Sequence, residues 1–174
     1  TSLELGGKSP TIVLADADLD LAVNGVIYGI FSSSGQACIA GARLFVHSSV
    51  YDDFMQRLVA KTQALRVGQP EDARTPVGPL IDEKHLNSVD AYVRQAEAEG
   101  GQILTGGHRL TEGELAHGTY YAPTIIAGLN NHASVCKEEI FGPVLVALPF
   151  EDEHDLLLQE NDSAYGLAAR IWTE

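Results

Sequence analysis

Val144–Phe150, VLVALPF, is a near-continuous apolar run bounded by Gly142-Pro143 before it and acidic residues after it. A strand with one wet face alternates apolar and polar residues, whereas a run apolar at nearly every position belongs to a strand buried on both faces, the kind found in parallel sheets covered by helices. The rest of the chain fits that frame. Thr11–Leu14 (TIVL), Leu44–His47, Gln102–Thr105 (QILT), Tyr120–Ile126 (YYAPTII) and Leu167–Trp172 read as further extended segments. Helical patterns fall between them. Asp16–Asp20 offers caps and first-turn acids ahead of Leu19, Ala22, Val23, Val26, Ile27 and Ile30 at helical spacing. Ser48 or Ser49 is expected to cap a helix through about Leu65, with Phe54, Leu58, Val59 and Leu65 inward. Asp82 opens a helix over Glu83–Glu99 that Gly100-Gly101 ends, and Asp152–Glu160 is a last helix with apolar residues at Leu156–Leu158. Strands alternating with helices predict the α/β class, a mostly parallel sheet flanked by helices.

Composition narrows the function. The 174 residues are 45% hydrophobic, enough for one domain with its own core, and the net charge of -13 argues against nucleic acid as a partner. No apolar run is long enough to cross a membrane, so a soluble protein with no membrane partner is expected. Two cysteines make no disulfide framework, and a reducing, cytoplasmic setting fits them. The six histidines show no ligand spacing, and no metal site is expected. Arg66–Leu80, with three prolines and two glycines, reads as a loop, either a connector or a wall of a substrate or domain interface.

Phe31–Arg43, FSSSGQACIAGAR, stands apart from these packed segments. Its run of serine, glycine and alanine leaves the backbone free to turn and leaves room for a ligand beside Cys38. A thiol on such a loop is a candidate nucleophile, although a lone cysteine is more often a small buried hydrophobe and needs partners elsewhere in the chain. Gln36 is placed to shape the turn, and Arg43 either favours the thiolate or makes a structural salt bridge. Cys136 has no such loop around it and reads as structural.

Three segments, Leu3–Pro10 (LELGGKSP), Gly35–Arg43 (GQACIAGAR) and Glu138–Val144 (EEIFGPV), resemble the aldehyde dehydrogenase superfamily in their order and approximate intervals. The resemblance covers essentially the whole chain. It implies that residues 1–174 are a catalytic domain, without the dinucleotide-binding domain that precedes it in the family. A chain that starts inside LELGGKSP without Met, and stops at Ile171–Glu174 as a strand is being written, reads as such a fragment, expected to be inactive alone.

The resemblance also implies roles. Cys38 takes the place of the catalytic cysteine, with its own N–H as one oxyanion donor and an Asn of the missing domain as the other. Glu4 matches the general base, in a dry funnel that would raise its pKa, and points to hydrolysis of the acyl-enzyme over transfer to coenzyme A. Gly6 and Gly7 let the backbone pass close to the cofactor or the cysteine loop. Glu139 matches the residue that holds the nicotinamide ribose, Phe141 the aromatic beside the nicotinamide, and Lys137 and Glu138 read as solvated flanks. The implied cofactor is NAD or NADP, the substrate a small-molecule aldehyde, and the full-length protein a homodimer or homotetramer. Two other readings remain at this point: a cysteine-dependent acyl transferase or hydrolase using a His–Cys pair, and a non-enzymatic family member.

Overall fold

The computed structural model describes residues 1–174. Six strands form one sheet: β1 (Pro10–Val13), β2 (Arg43–His47), β3 (Gln102–Thr105), β4 (Thr124–Ala127), β5 (Val144–Phe150) and β6 (Arg170–Trp172), in the order β3-β4-β5-β2-β1-β6. All neighbours are parallel except β3 against β4. The mostly parallel sheet expected from VLVALPF is therefore present, with β5 between β4 and β2 and only Pro149 of its residues exposed.

Five helices cover the sheet: α1 (Leu19–Phe31), α2 (Tyr51–Gln63), α3 (Glu83–Ala98), α4 (Ser134–Lys137) and α5 (Glu153–Asn161). Alternate residues of each strand point to opposite faces, and so the core has two layers. Ile12, Phe45, Val144 and Val146 pack against Leu86, Val89 and Val93 of α3. Val13, Leu44, Val46 and Leu145 pack against Val23, Val26 and Ile30 of α1 and Phe54 and Leu58 of α2. Each such side chain, fully buried, contributes about 1.5–3 kcal/mol. No helix is long and apolar enough to cross a membrane.

Helix starts follow the acids. Asp18 accepts from the N–H groups of Asp20 and Leu21 at 3.0 Å, Asp82 from His85 at 2.7 Å, and Asp152 from Asp155 at 2.9 Å. The start of α2 differs from expectation. Ser48–Val50 form a separate turn, and the side chain of His47 accepts from Ser49 N–H at 3.2 Å in place of a serine cap. The last helix buries Leu156 but leaves Leu157 and Leu158 exposed, because successive helical residues cannot share a face. The strand expected over Leu167–Trp172 shortens to β6, since its partner β1 has only four residues.

Candidate active site

β5, β2 and β1 are neighbours and run parallel, so their amino ends lie along one edge. Each is entered from one of the three distinctive segments: LELGGKSP runs into Pro10, GQACIAGAR into Arg43 and EEIFGPV into Val144. In register, Pro10 pairs with Arg43 and Arg43 with Val146. Parallel pairing thus gathers residues that are far apart in sequence. The usual ligand crevice of open α/β sheets lies at the carboxyl ends of strands; here the chemically distinctive residues collect at the opposite edge.

The segments meet through backbone. Gly7 N–H donates to Glu139 Oε1 at 2.9 Å. A Cβ on Gly7 would sit 2.4 Å from the Cys38 carbonyl oxygen, and one on Gly6 would sit 2.1 Å from Glu139 Oε2. A Cβ on Gly35 would sit 2.1 Å from the Gly142 carbonyl oxygen. The recess left between Gly7, Gly35, Ala37, Glu139, Phe141 and Gly142 measures only about 10 Å³, so the loops are packed against one another. Ser33, Ser34 and Phe141 are the three non-glycine residues with positive φ, at 51°, 57° and 57°, and all lie in these loops. The left-handed region costs an L-residue roughly 1–2 kcal/mol, and strain of this kind concentrates at functional sites. Side-chain ties hold it in place: Ser34 Oγ donates to Gly78 O at 2.8 Å, Gln36 Nε2 donates to Pro79 O at 3.3 Å, and Ile81 N–H donates to Gln36 Oε1 at 2.8 Å.

Cys38 is exposed on its loop, and Arg170 Nη1 holds the next carbonyl, that of Ile39, at 3.1 Å. Cys136 is the buried thiol, and burial pushes it up to about 11. Glu139 is half-buried with one oxygen taken by Gly7, and Phe141 is partly exposed. Glu4 departs from expectation: in this chain it lies on the exposed segment Thr1–Leu5, not in a dry funnel, because nothing packs over that edge. Arg43 makes no salt bridge. It is buried, and donates to the carbonyls of Lys8 at 3.0 Å and Glu160 at 2.9 Å while stacking over Phe45. Lys137 and Glu138 are not simple solvated flanks either: Lys137 pairs with Asp162, and Glu138 accepts from Tyr92 Oη at 2.7 Å.

Sequence reasoning missed two residues at this edge. Lys8 is fully buried and its Nζ has no hydrogen-bond partner. Burial pushes its ammonium down to about 8, with Cys136, Glu139 and Glu138 pulling the other way and Arg43 adding to the fall. A lysine between Gly-Gly and a buried strand was the available signal. His85, whose Nε2 lies 2.6 Å from the Phe141 carbonyl oxygen, gave none beyond its place in the turn that Asp82 caps. A larger cavity of about 320 Å³ adjoins this edge, lined by Lys8, Ser9, Arg43, Glu160, Tyr165 and Leu167.

Fold and edge together define a class: an α/β domain whose parallel strands deliver an exposed thiol and a tethered carboxylate to one margin of the sheet. The sequence model of the aldehyde dehydrogenase family matches residues 1–174, and the chain belongs to that family. Among solved structures it is similar to the HpcC protein of Thermus thermophilus, with 46% identity and a TM-score of 0.95 over 98% of this chain and 34% of that one. It is similar to betaine aldehyde dehydrogenase of Staphylococcus aureus, solved in complex with NAD+, with 38% identity and a TM-score of 0.96 over 98% of this chain and 34% of that one. An aldehyde dehydrogenase mutant of Bacillus cereus gives 40% identity and a TM-score of 0.93 over 98% and 34%. The chain thus spans about a third of the length of these relatives.

Proposed function

We propose that the protein oxidises an aldehyde to a carboxylic acid with NAD or NADP, using Cys38 as nucleophile and Glu4 as general base. The observation that carries this reading is the tether between the cysteine loop, Gly7 and Glu139, which keeps a thiol and a cofactor-type carboxylate in one packed unit. The thiolate of Cys38 adds to the aldehyde carbon to give a thiohemiacetal, to whose oxyanion the Cys38 N–H can donate. A nicotinamide bound here would supply the acceptor for the hydride that leaves this carbon. The resulting thioester at Cys38 Sγ is then open to water. Glu4 removes a proton from that water, the carboxylic acid departs, and the thiol is restored.

The residues present fit the cofactor. Gly7 N–H makes the one hydrogen bond to Glu139, through Oε1, leaving Oε2 able to accept from ribose hydroxyls. The absence of a Cβ on Gly6 keeps that oxygen's position open. Phe141, partly exposed and fixed at positive φ, supplies an aromatic wall. Glu4 on its exposed segment needs a cover to work as a desolvated base, and the remainder of a longer protein would supply it. Residues 1–174 therefore act as a catalytic domain that is inactive alone, in a cytoplasmic homodimer or homotetramer. A hydrolase using a His–Cys pair is disfavoured, because His85, which reaches these loops, spends Nε2 on the Phe141 carbonyl.

The test is cofactor reduction by the full-length gene product over a panel of aldehydes, with NAD and with NADP, and Cys38→Ser as control. Turnover that disappears in the variant is the expected result. No turnover with any aldehyde and either nucleotide would overturn the proposal.

A further inference from the structure

The segment Gly78–His85 binds both site loops at once. Toward the cysteine loop it is tied at Gly78, Pro79 and Ile81 by Ser34 and Gln36. Toward the Phe141 turn it is tied by His85 alone, with Nε2 2.6 Å from the Phe141 carbonyl oxygen. A carbonyl only accepts, so Nε2 carries the proton. The two rings also meet edge to face, with centroids 6.2 Å apart. The segment is itself anchored. Leu80 N–H donates to Thr119 O at 2.9 Å, and Asp82 caps the first turn of α3, which carries His85. One turn further on, Val89 fills the space beside Gly142, where a Cβ would come within 2.7 Å of it.

This bond has a definite object. Phe141 stands at φ 57°, a conformation its own backbone disfavours, and its ring is partly exposed. A strained residue keeps its conformation only when neighbours over-determine it. Gly35 and Val89 pack closely against the residue after it, Gly142, and His85 fixes its carbonyl.

We propose that His85 is a positioning residue: its Nε2–H holds the Phe141 carbonyl and so sets the Phe141 ring relative to the Cys38 loop. The inference rests on the proposed function, because it takes Phe141 to face the nicotinamide. His85 touches neither thiol nor substrate in this scheme. Its loss therefore weakens cofactor binding and leaves aldehyde binding and thiol reactivity in place.

The experiment compares His85→Ala, His85→Phe, His85→Asn and His85→Gln in the full-length protein. It reads KM for cofactor, KM for aldehyde, the rate of Cys38 alkylation without cofactor, and cofactor Kd by calorimetry. Alanine and phenylalanine are expected to raise cofactor KM and Kd roughly tenfold, the effect of one lost hydrogen bond. Aldehyde KM and alkylation should stay within about twofold. Glutamine, whose amide N–H spans a similar length, should restore the wild-type values, and asparagine, one carbon shorter, should not. Cofactor Kd unchanged in His85→Ala, a wild-type value for His85→Phe, or no rescue by glutamine over asparagine would each overturn the assignment. If alanine fails to fold, the glutamine–asparagine pair decides alone. Wild-type protein that binds cofactor normally yet oxidises no aldehyde sinks the proposed function, while the Kd series still judges His85; failure of wild type to bind cofactor sinks both.

Discussion

Gly7→Ala tests the approach of the LELGG segment to the cysteine loop. The added methyl would lie 2.4 Å from the Cys38 carbonyl oxygen, about 1 Å inside ordinary contact. It has no free side to turn to, because Leu167 Cβ and Cδ2 already lie 3.5 Å away. The obstructing atom is backbone, so either the LELGG segment or the Cys38 peptide must move by about 1 Å. Overpacking of this kind costs about 1–3 kcal/mol, and each kcal/mol lowers Tm by roughly 2–4 °C in a protein of this size, giving a fall of about 2–12 °C. A misplacement of about 1 Å at a reacting group is worth roughly a hundredfold in rate. Gly6→Ala is the internal control. There the methyl meets Glu139 Oε2, the end of a side chain that can rotate away. It should release the Gly7 bond to Glu139 and raise cofactor KM while leaving kcat within a few-fold. Steady-state kinetics and thermal melting on both variants separate the two effects. Gly7→Ala with kcat within about threefold of wild type and Tm within about 1 °C would refute the reasoning.

Three further outcomes follow from the same structure. A disulfide reagent should titrate one thiol in the native chain, Cys38, and reach Cys136 only on unfolding, because Cys136 is buried and its thiol is pushed up to about 11; two fast thiols would contradict this. The Lys8 ammonium, pushed down to about 8 by burial, binds its proton less well in the folded chain than in the unfolded one, so stability should rise as pH increases from about 8 toward 10. Above that, Tyr92, pushed up to about 12 chiefly by its hydrogen bond to Glu138, turns the curve down, since the unfolded chain then loses protons first. Lys8→Met removes the rise and should be at least as stable at pH 7, the buried charge costing about 3 kcal/mol there; parallel melting curves against pH for both proteins would count against it. Asp82→Ala removes the cap on His85 N–H, so Tm should fall by about 2–4 °C and cofactor KM should rise with it; an unchanged KM at a lowered Tm would separate the helix start from the site.

The sheet was legible because burial writes itself into composition: VLVALPF has no polar face, and β5 is covered on both sides. The helix start at Asp82 was legible, and that of α1 to within Asp16–Asp20, because a short carboxylate ahead of an apolar period has one common use; Asp152, read as the first residue of the last helix, proved to be its cap. The three site segments were legible through their resemblance to a family. What stayed hidden was geometry between loops. Nothing in SSSG announces that two serines adopt positive φ, because the reason lies in Gly78 and in Gly142, which are remote in sequence. The serine cap expected for α2 did not form, because Ser48–Val50 fold into a separate turn that His47 caps, and α2 starts after Val50 without a side-chain cap. Arg43 looked like an ion-pair partner, but the groups that came within its reach were carbonyls. His85 became visible only when α3 was packed beside the Phe141 turn.

The choice between NAD and NADP has a structural corollary. Of the turns that lead from strand to helix, Leu14–Asp18 after β1, Ser48–Val50 after β2 and Glu151-Asp152 after β5 contain no glycine, and Gly128–Ala133 after β4 contains one, Gly128. A pyrophosphate cradle of the Gly-rich kind is therefore missing at the carboxyl ends of these strands. In the proposed function Glu139 meets the cofactor at the nicotinamide ribose, remote from the adenosine 2′ position where the two nucleotides differ. Glu139→Gln should weaken the charge-assisted bonds to that ribose by about 1.5–3 kcal/mol, raising cofactor KM roughly ten- to a hundredfold. The rise should be equal for NAD and NADP, so that the preference ratio stays within about twofold of wild type. A ratio that moves by about tenfold would place Glu139, and with it the EEIFGPV edge, at the adenosine end of the cofactor and reverse the orientation proposed for it.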